Sequence, residues 1–302
     1  MDLPPAAEPS CLELPSFERI LCAVDLEQPT PNALSLAGFI AGRFGAALEA
    51  LYVGTSSSCV DPAVVQELNR IVEGSGALGT TAQLAAGPPA RTILEHARNH
   101  RTDLIVLGSR QRSDLGWQFR DDVVRDVSAL ADCATLTVNE RDTPEVIEQI
   151  LVPVDFGPAT RQMVGWACAF ARRFDAKVTL LHVVSREQGA VGSSGRAELA
   201  ALEQHMALLG VRTESQVIVA GGAANGIESY NDRSEFDLVV LGQAVEPESP
   251  ARLIRGVIAT LRSRLSIPVL SVRATPFDLS RPRARAQSHS ASERGDRAPL
   301  SA

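Results

Sequence analysis

Aromatic residues are scarce in this chain, at 4% of 302 residues, although hydrophobic residues as a whole reach 45%. Any core must therefore be built from Leu, Val, Ile and Ala. Cysteine is sparse too. The five present, Cys11, Cys22, Cys59, Cys133 and Cys168, are odd in number and form no Cys-x-x-Cys pair. That excludes a complete disulfide framework and suits a reducing cytosol. Basic charge is not in excess: 29 Lys and Arg stand against 36 Asp and Glu, a net of −7, which argues against a constitutive nucleic-acid binder. No apolar run approaches the ~18 residues a membrane span needs. The opening Met1-Asp2-Leu3-Pro4-Pro5 lacks the basic patch and apolar stretch of a secretory signal. A cytoplasmic protein with no membrane partner is the expectation.

What is present is a long internal repeat. Ile20–Leu26 (Ile-Leu-Cys-Ala-Val-Asp-Leu) returns as Ile150–Phe156 (Ile-Leu-Val-Pro-Val-Asp-Phe), a shift of 130 positions (155 − 25) that also carries Arg43-Phe44 onto Arg173-Phe174 and Tyr52-Val53 onto His182-Val183. Asp103–Gly108 (Asp-Leu-Ile-Val-Leu-Gly) returns as Asp237–Gly242 (Asp-Leu-Val-Val-Leu-Gly), shifted by about four residues more. Solenoid repeats run roughly 20–50 residues, so each copy here is a whole domain. The expected division is a disordered lead over 1–15, a first domain over 16–140, a polar linker over 141–148, a second domain over 149–274, and a disordered tail over 275–302. The tail is dominated by Ser, Arg, Ala and Pro.

Short apolar runs such as Ile20–Val24 and Ile150–Val154 mark strands buried on both faces, hence a parallel sheet. Thr30-Pro31-Asn32 reads as a helix start, with Pro at the first helical position. Five strands alternate with four helices in each half. In the second half, helices are expected near Ala159–Phe174, Arg196–Leu209, Ala223–Asp232 and Ala251–Leu265; Asn225, Gly226 and Asn231 disfavour the third of these. Alternation of this kind means right-handed βαβ units. The fold class is α/β: two tandem doubly wound five-stranded parallel-sheet domains, Rossmann-like. Ligands bind such sheets beyond the carboxyl ends of the strands, where Asp25, Gly108, Asp155 and Gly242 fall.

Those residues carry a resemblance. Val152–Phe156, Asp237–Gly242 and the closing Ile267–Val272 (Ile-Pro-Val-Leu-Ser-Val), with their counterparts in the first half, resemble the universal stress protein family in its tandem two-domain form. The resemblance covers roughly residues 17–138 and 147–272. It implies an internal pseudo-dimer joined through the last strands, Thr135–Val138 and Val269–Val272, whose unpaired edges invite pairing. A homodimer of the whole chain stays open.

Many members of that family bind ATP through Gly, two residues, Gly, nine residues and then Gly-Ser or Gly-Thr. Glycine lets backbone approach phosphate, and a helix N-terminus attracts anions. Here the pattern is broken twice. The first half keeps Gly108 but has Gln111 and Asp121-Asp122; the second keeps Gly242 but has Val245 and Arg255-Gly256. Two carboxylates repel a polyphosphate by roughly 1–4 kcal/mol per close pair, more than the ~0.3–1 kcal/mol a helix terminus returns. No triphosphate is expected in the first half without a metal ion; an alternative for Asp121-Asp122 is a solvated, helix-capping first turn. In the second half Arg255 could meet a phosphate, and ATP remains the candidate cofactor there, although Glu246 and Glu248 oppose it. By resemblance the cofactor-binding candidates are Asp25, Val53 and Gly108, with Asp155, Val183, Gly242, Arg255, Gly256 and Val257. Asp25 and Asp155 would sit beside adenine or ribose, or else hold the strand-to-helix turn.

Other constellations are weaker. His96 and His100 lie four apart on a predicted helix, but no third ligand is suggested and a zinc site needs three or four, so no metal is expected. His182 reads as a half-buried strand histidine. Gly192–Gly195 lacks P-loop spacing and its Lys, and reads as a flexible connection. Gly221–Gly226 enters a helix but has no equivalent in the first half, so turn geometry accounts for it. No Ser-His-Asp or Cys-His set can be assembled, and the tail arginines are interspersed with acids. The expectation is a stress-response or regulatory protein that is not an enzyme, with nucleotide binding degenerate in both halves. The alternative is an ATP-binding switch with weak ATPase activity in the second half.

Overall fold

The computed structural model describes residues 14–15, 17–27, 30–54, 61–109, 119–139, 146–185, 193–243 and 251–273, without the side chains of 119–121, 193–194, 251–256 and 263. Most of the expected lead and linker, and all of the tail, lie outside the described residues.

The first half runs β1 (Arg19–Val24), α1 (Pro31–Phe44), β2 (Ala47–Gly54), α2 (Pro62–Gly74), β3 (Thr81–Ala86), α3 (Pro89–Asn99), β4 (Leu104–Ser109), α4 (Phe119–Leu130) and β5 (Ala134–Asn139). The second repeats it as β6 (Gln149–Pro153), α5 (Thr160–Phe174), β7 (Lys177–Ser185), α6 (Ser193–Leu208), β8 (Arg212–Ala220), α7 (Ala223–Asn231), β9 (Leu238–Gln243), α8 (Ala251–Arg264) and β10 (Val269–Arg273). Local chemistry accounts for the ends. Pro31 opens α1 and Gly45, at φ 70°, closes it in the left-handed region that glycine adopts without penalty. Asp61 caps α2 by accepting from the Ala63 N–H.

Each half forms a parallel sheet in the order 3-2-1-4-5, and the two sheets join into one ten-stranded sheet, β3-β2-β1-β4-β5-β10-β9-β6-β7-β8. The join is antiparallel, with Leu270 opposite Leu136 and Ser271 opposite Thr135. The expected pairing of the last strands is therefore present, and no edge is left at the centre of the molecule. The repeated aspartates explain themselves here. Asp103 Oδ2 accepts from the N–H groups of Glu18 and Arg19, at 2.8 and 2.9 Å. Asp237 Oδ2 accepts from Glu148 and Gln149, both at 2.8 Å. Each carboxylate ties the start of the fourth strand of its half to the start of the first.

The join is reinforced from both ends. Asn139 Nδ2 donates to the Leu265 carbonyl just beyond α8, at 2.8 Å, and its equivalent Arg273 donates to the Ala131 carbonyl just beyond α4, at 3.0 Å. On one face of the sheet the core is continuous across the halves, running through α1, α2, α5 and α6. Most of the chain's scarce aromatics gather there. Phe17 packs on Phe44, Trp166 and Phe170, at 4.2, 4.5 and 5.6 Å between centroids. Phe39 meets Phe174 at 5.2 Å. Arg43 lies over the Phe174 ring of the other half, and Arg173 over Phe44. On the opposite face the core is split, with α3 and α4 covering one half and α7 and α8 the other.

One sequence expectation needs correction. Ser193-Ser194-Gly195 do not form a connection: they open α6, three residues before the expected start at Arg196. Gly192 itself lies outside the described residues. α7 forms where a helix is expected, although Asn225, Gly226 and Asn231 disfavour a helix interior. A Cβ on Gly226 would lie 2.6 Å from Val183 Cγ1 and 3.0 Å from Ala220 Cβ, so this glycine lets the helix lie close on the sheet.

Phe170 is fully buried where the halves meet. Phe170→Ala is expected to destabilise the protein by about 3–5 kcal/mol. Guanidinium unfolding followed by tryptophan fluorescence and far-UV circular dichroism checks this. One coincident transition is expected because the core is shared.

Candidate functional site

The carboxyl ends of the strands line one rim of the sheet, and in each half the first strand turns there into its helix on an aspartate. Asp25 Oδ1 accepts from the Glu27 N–H at 3.0 Å; Asp155 Oδ1 accepts from the Gly157 N–H at 2.9 Å. Both are Asx turns, so each carboxylate holds its own loop. Asp25 is half-buried and Asp155 exposed.

In the first half a cavity of ≈ 40 Å³ opens at this rim, lined by Asp25, Thr30, Leu34, Ile71, Gly108 and Cys22. Its size suits a few waters rather than a nucleoside. Gly108 has been brought to Asp25, as the motifs imply, but α1 presses on it: a Cβ there would lie 2.5 Å from Thr30 Oγ1 and 2.6 Å from Thr30 Cβ. Thr30 makes no side-chain cap for α1. Its side chain instead fills the space over the glycine.

The second half is closed in the same place by other residues. A Cβ on Gly242 would lie 2.4 Å from Met163 Sδ and 2.5 Å from Ala159 Cβ. Beside Asp155, Phe156 adopts φ 58°, an uncommon conformation for a bulky residue. Its ring lies 4.8 Å from that of His182. His182 Nδ1 lies 2.9 Å from the Val154 carbonyl. A carbonyl only accepts, so Nδ1 carries the proton.

The remaining candidates are placed elsewhere. Val53 packs against the α3–α4 core, and Val183 and Val257 against the α7–α8 core. Their side chains thus face away from α1 and α5. Asp122 pairs with Arg125 at 2.5 Å on the partly exposed first turns of α4. Gln111 and Val245 lie outside the described residues. Arg255 and Gly256 fall within α8, where the side chain of Arg255 lies outside the described residues. Thr30, Met163 and Ala159 were not singled out in the sequence. Thr30 and Ala159 stand immediately before or at the helix starts, positions that signal a cap and not a plug.

The thiols offer no nucleophile among the described cysteines. Burial pushes Cys22, Cys133 and Cys168 up to about 12, so thiolate is essentially absent at neutral pH. One further constellation departs from expectation. The sequence suggests no third metal ligand for His96 and His100, yet the carboxylate of Glu49 stands within 4.8 Å of both ring nitrogens. The sequence does carry a signal for it: Glu49 is the one charged residue of β2, in Ala-Leu-Glu-Ala-Leu-Tyr-Val-Gly.

Comparison with known proteins bears on this architecture. The sequence model of the universal stress protein family matches residues 16–139 and again 147–273. The chain is 31% identical over 146 residues to the universal stress protein YxiE of Bacillus subtilis, an alignment covering 40% of this chain and 99% of that one. The fold is similar to that of a universal stress protein from Archaeoglobus fulgidus, with a TM-score of 0.68 at 15% identity, covering 85% of this chain and 98% of the other. Among the described residues no helix is long and apolar enough to cross a membrane.

Two outcomes test the packing at the rim. Gly242→Ala is expected to cost about 1–3 kcal/mol in urea unfolding, the range for overpacking; an unchanged midpoint would show that the glycine is not held by Ala159 and Met163. In the native protein, no more than three thiols should react with Ellman's reagent at neutral pH, since Cys22 and Cys168 are buried. All five should react after unfolding.

Proposed function

This chain belongs to the universal stress protein family, with one family domain in each half, and on that premise we propose that it is a cytoplasmic stress-response regulator. On this reading it is not an enzyme and acts without a bound nucleoside triphosphate. One observation carries the proposal. At the rim of both halves, the glycine that would let a phosphate approach is covered by side chains from the start of the adjoining helix: Thr30 over Gly108, and Ala159 with Met163 over Gly242. Asp25 and Asp155 each spend one oxygen on a turn N–H. The loops that complete the phosphate pattern carry Gln111 and Asp121-Asp122 in one half and Val245 and Arg255-Gly256 in the other, which weakens the anion cradle further. Regulation through surfaces presented by a rigid ten-stranded scaffold accords with these features better than turnover does.

Equilibrium dialysis with labelled ATP and Mg²⁺ tests the reading. The wild-type protein is expected to bind more weakly than about 1 mM, near −4 kcal/mol, and to release no phosphate above background. Micromolar binding that Arg255→Glu abolishes would overturn the proposal and assign an ATP switch to the second half. Substituting Gln111→Gly, Asp121→Gly and Asp122→Ser together should leave affinity unchanged while Thr30 still covers Gly108.

A further inference from the structure

From the convergence of Glu49, His96 and His100 we infer that the first half carries a binding site for a divalent first-row transition-metal ion of the Zn²⁺ class, on the rim of the sheet opposite the family's ligand edge. Glu49 stands near the start of β2, and His96 and His100 stand in and just after the last turn of α3. Both elements therefore meet at the amino end of the strands. The i, i+4 spacing puts both imidazoles on one helix face, and α3 packs that face onto β2.

The ligand atoms already converge. His96 Nε2 lies 2.9 Å from Glu49 Oε2, His100 Nδ1 lies 2.6 Å from His96 Nε2, and His100 Nδ1 lies 3.4 Å from Glu49 Oε2. Bonds of about 2.0–2.1 Å in a tetrahedral zinc site place ligand atoms roughly 3.3 Å apart, so small side-chain shifts suffice. Hydrogen bonding alone serves this arrangement poorly. The proton His96 Nε2 can carry has two short contacts to satisfy, whereas a cation between the three atoms satisfies all of them. Two imidazoles and one carboxylate are a recognised zinc donor set that leaves a fourth position open, and imidazole nitrogen disfavours Mg²⁺ and Ca²⁺. Burial is graded as an accessible site requires: His96 is 13% exposed, Glu49 24% and His100 44%.

The duplicated fold does not need the cluster. The equivalent positions in the second half are Thr179, Tyr230 and Ser234. Thr179 donates to Glu214 and Tyr230 packs on Phe236, so the same scaffold closes there without a metal-ligating residue at any of the three equivalent positions.

The test uses the full chain, stripped with chelator and titrated separately with Zn²⁺ and Co²⁺, as wild type, His100→Ala and Glu49→Gln. Wild type is expected to take up one ion per chain, to gain thermal stability with Zn²⁺, and to show a Co²⁺ spectrum without a thiolate charge-transfer band. Each variant is expected to lose at least about 10-fold in affinity, the effect seen when even an outer-sphere partner is removed. Absence of saturable binding by wild type, equal affinity in all three proteins, or a thiolate band would overturn the assignment. His100 is largely at the surface and Glu49→Gln is isosteric, so unfolding transitions in chelator separate lost ligation from lost structure.

Discussion

The antiparallel pairing of β5 with β10 is the contact on which the rest of the molecule depends. A five-stranded parallel sheet leaves its last strand with unpaired N–H and C=O groups along one side, and such an edge must be covered or paired. Here each half covers the other. The approximate two-fold relation that follows places α1 beside α5 on the same face. The few aromatic residues can then form one seam of Phe17, Phe39, Phe44, Trp166, Phe170 and Phe174. The same relation lets Asn139 and Arg273, equivalent residues, each reach a carbonyl beyond the last helix of the opposite half.

That arrangement constrains the rim at the carboxyl ends of the strands. Because α1 and α5 are pulled inward onto a continuous core, their first residues press on the glycines at the ends of β4 and β9. A glycine at these positions serves two ends that cannot be told apart by residue type: close approach of a phosphate, or close approach of a helix. In this chain the second use is the one with named contacts at 2.4–2.6 Å to the absent Cβ. The paired aspartates follow the same logic, each holding a turn by a hydrogen bond to the second residue after it. At the opposite rim the two halves differ in chemistry, with Glu49, His96 and His100 on one side and Thr179, Tyr230 and Ser234 on the other.

Much of this was legible in the chain. Continuous apolar strands signal burial on both faces, Pro31 and Gly45 punctuate α1, and two co-linear copies of Val-Asp and Asp-Leu-x-Val-Leu-Gly imply two domains of one kind. Where the reading fell short, the cause was tertiary. Ser193–Gly195 look like a linker in isolation and begin α6. Val53 and Val183 travel with the motif but pack on the far face of the sheet, since successive residues of a strand point to opposite sides.

The amino-acid sequence by itself determined the fold class, the duplication and the order of the elements. All of these depend on local periodicity and on identity between positions at a constant shift. Only the tertiary structure decided which side chains cover Gly108 and Gly242, and that a carboxylate in β2 meets two histidines at the end of α3. Those are contacts between residues about 47 to 83 positions apart, made by the packing of helices on a sheet, and no spacing along the chain encodes the distance between them.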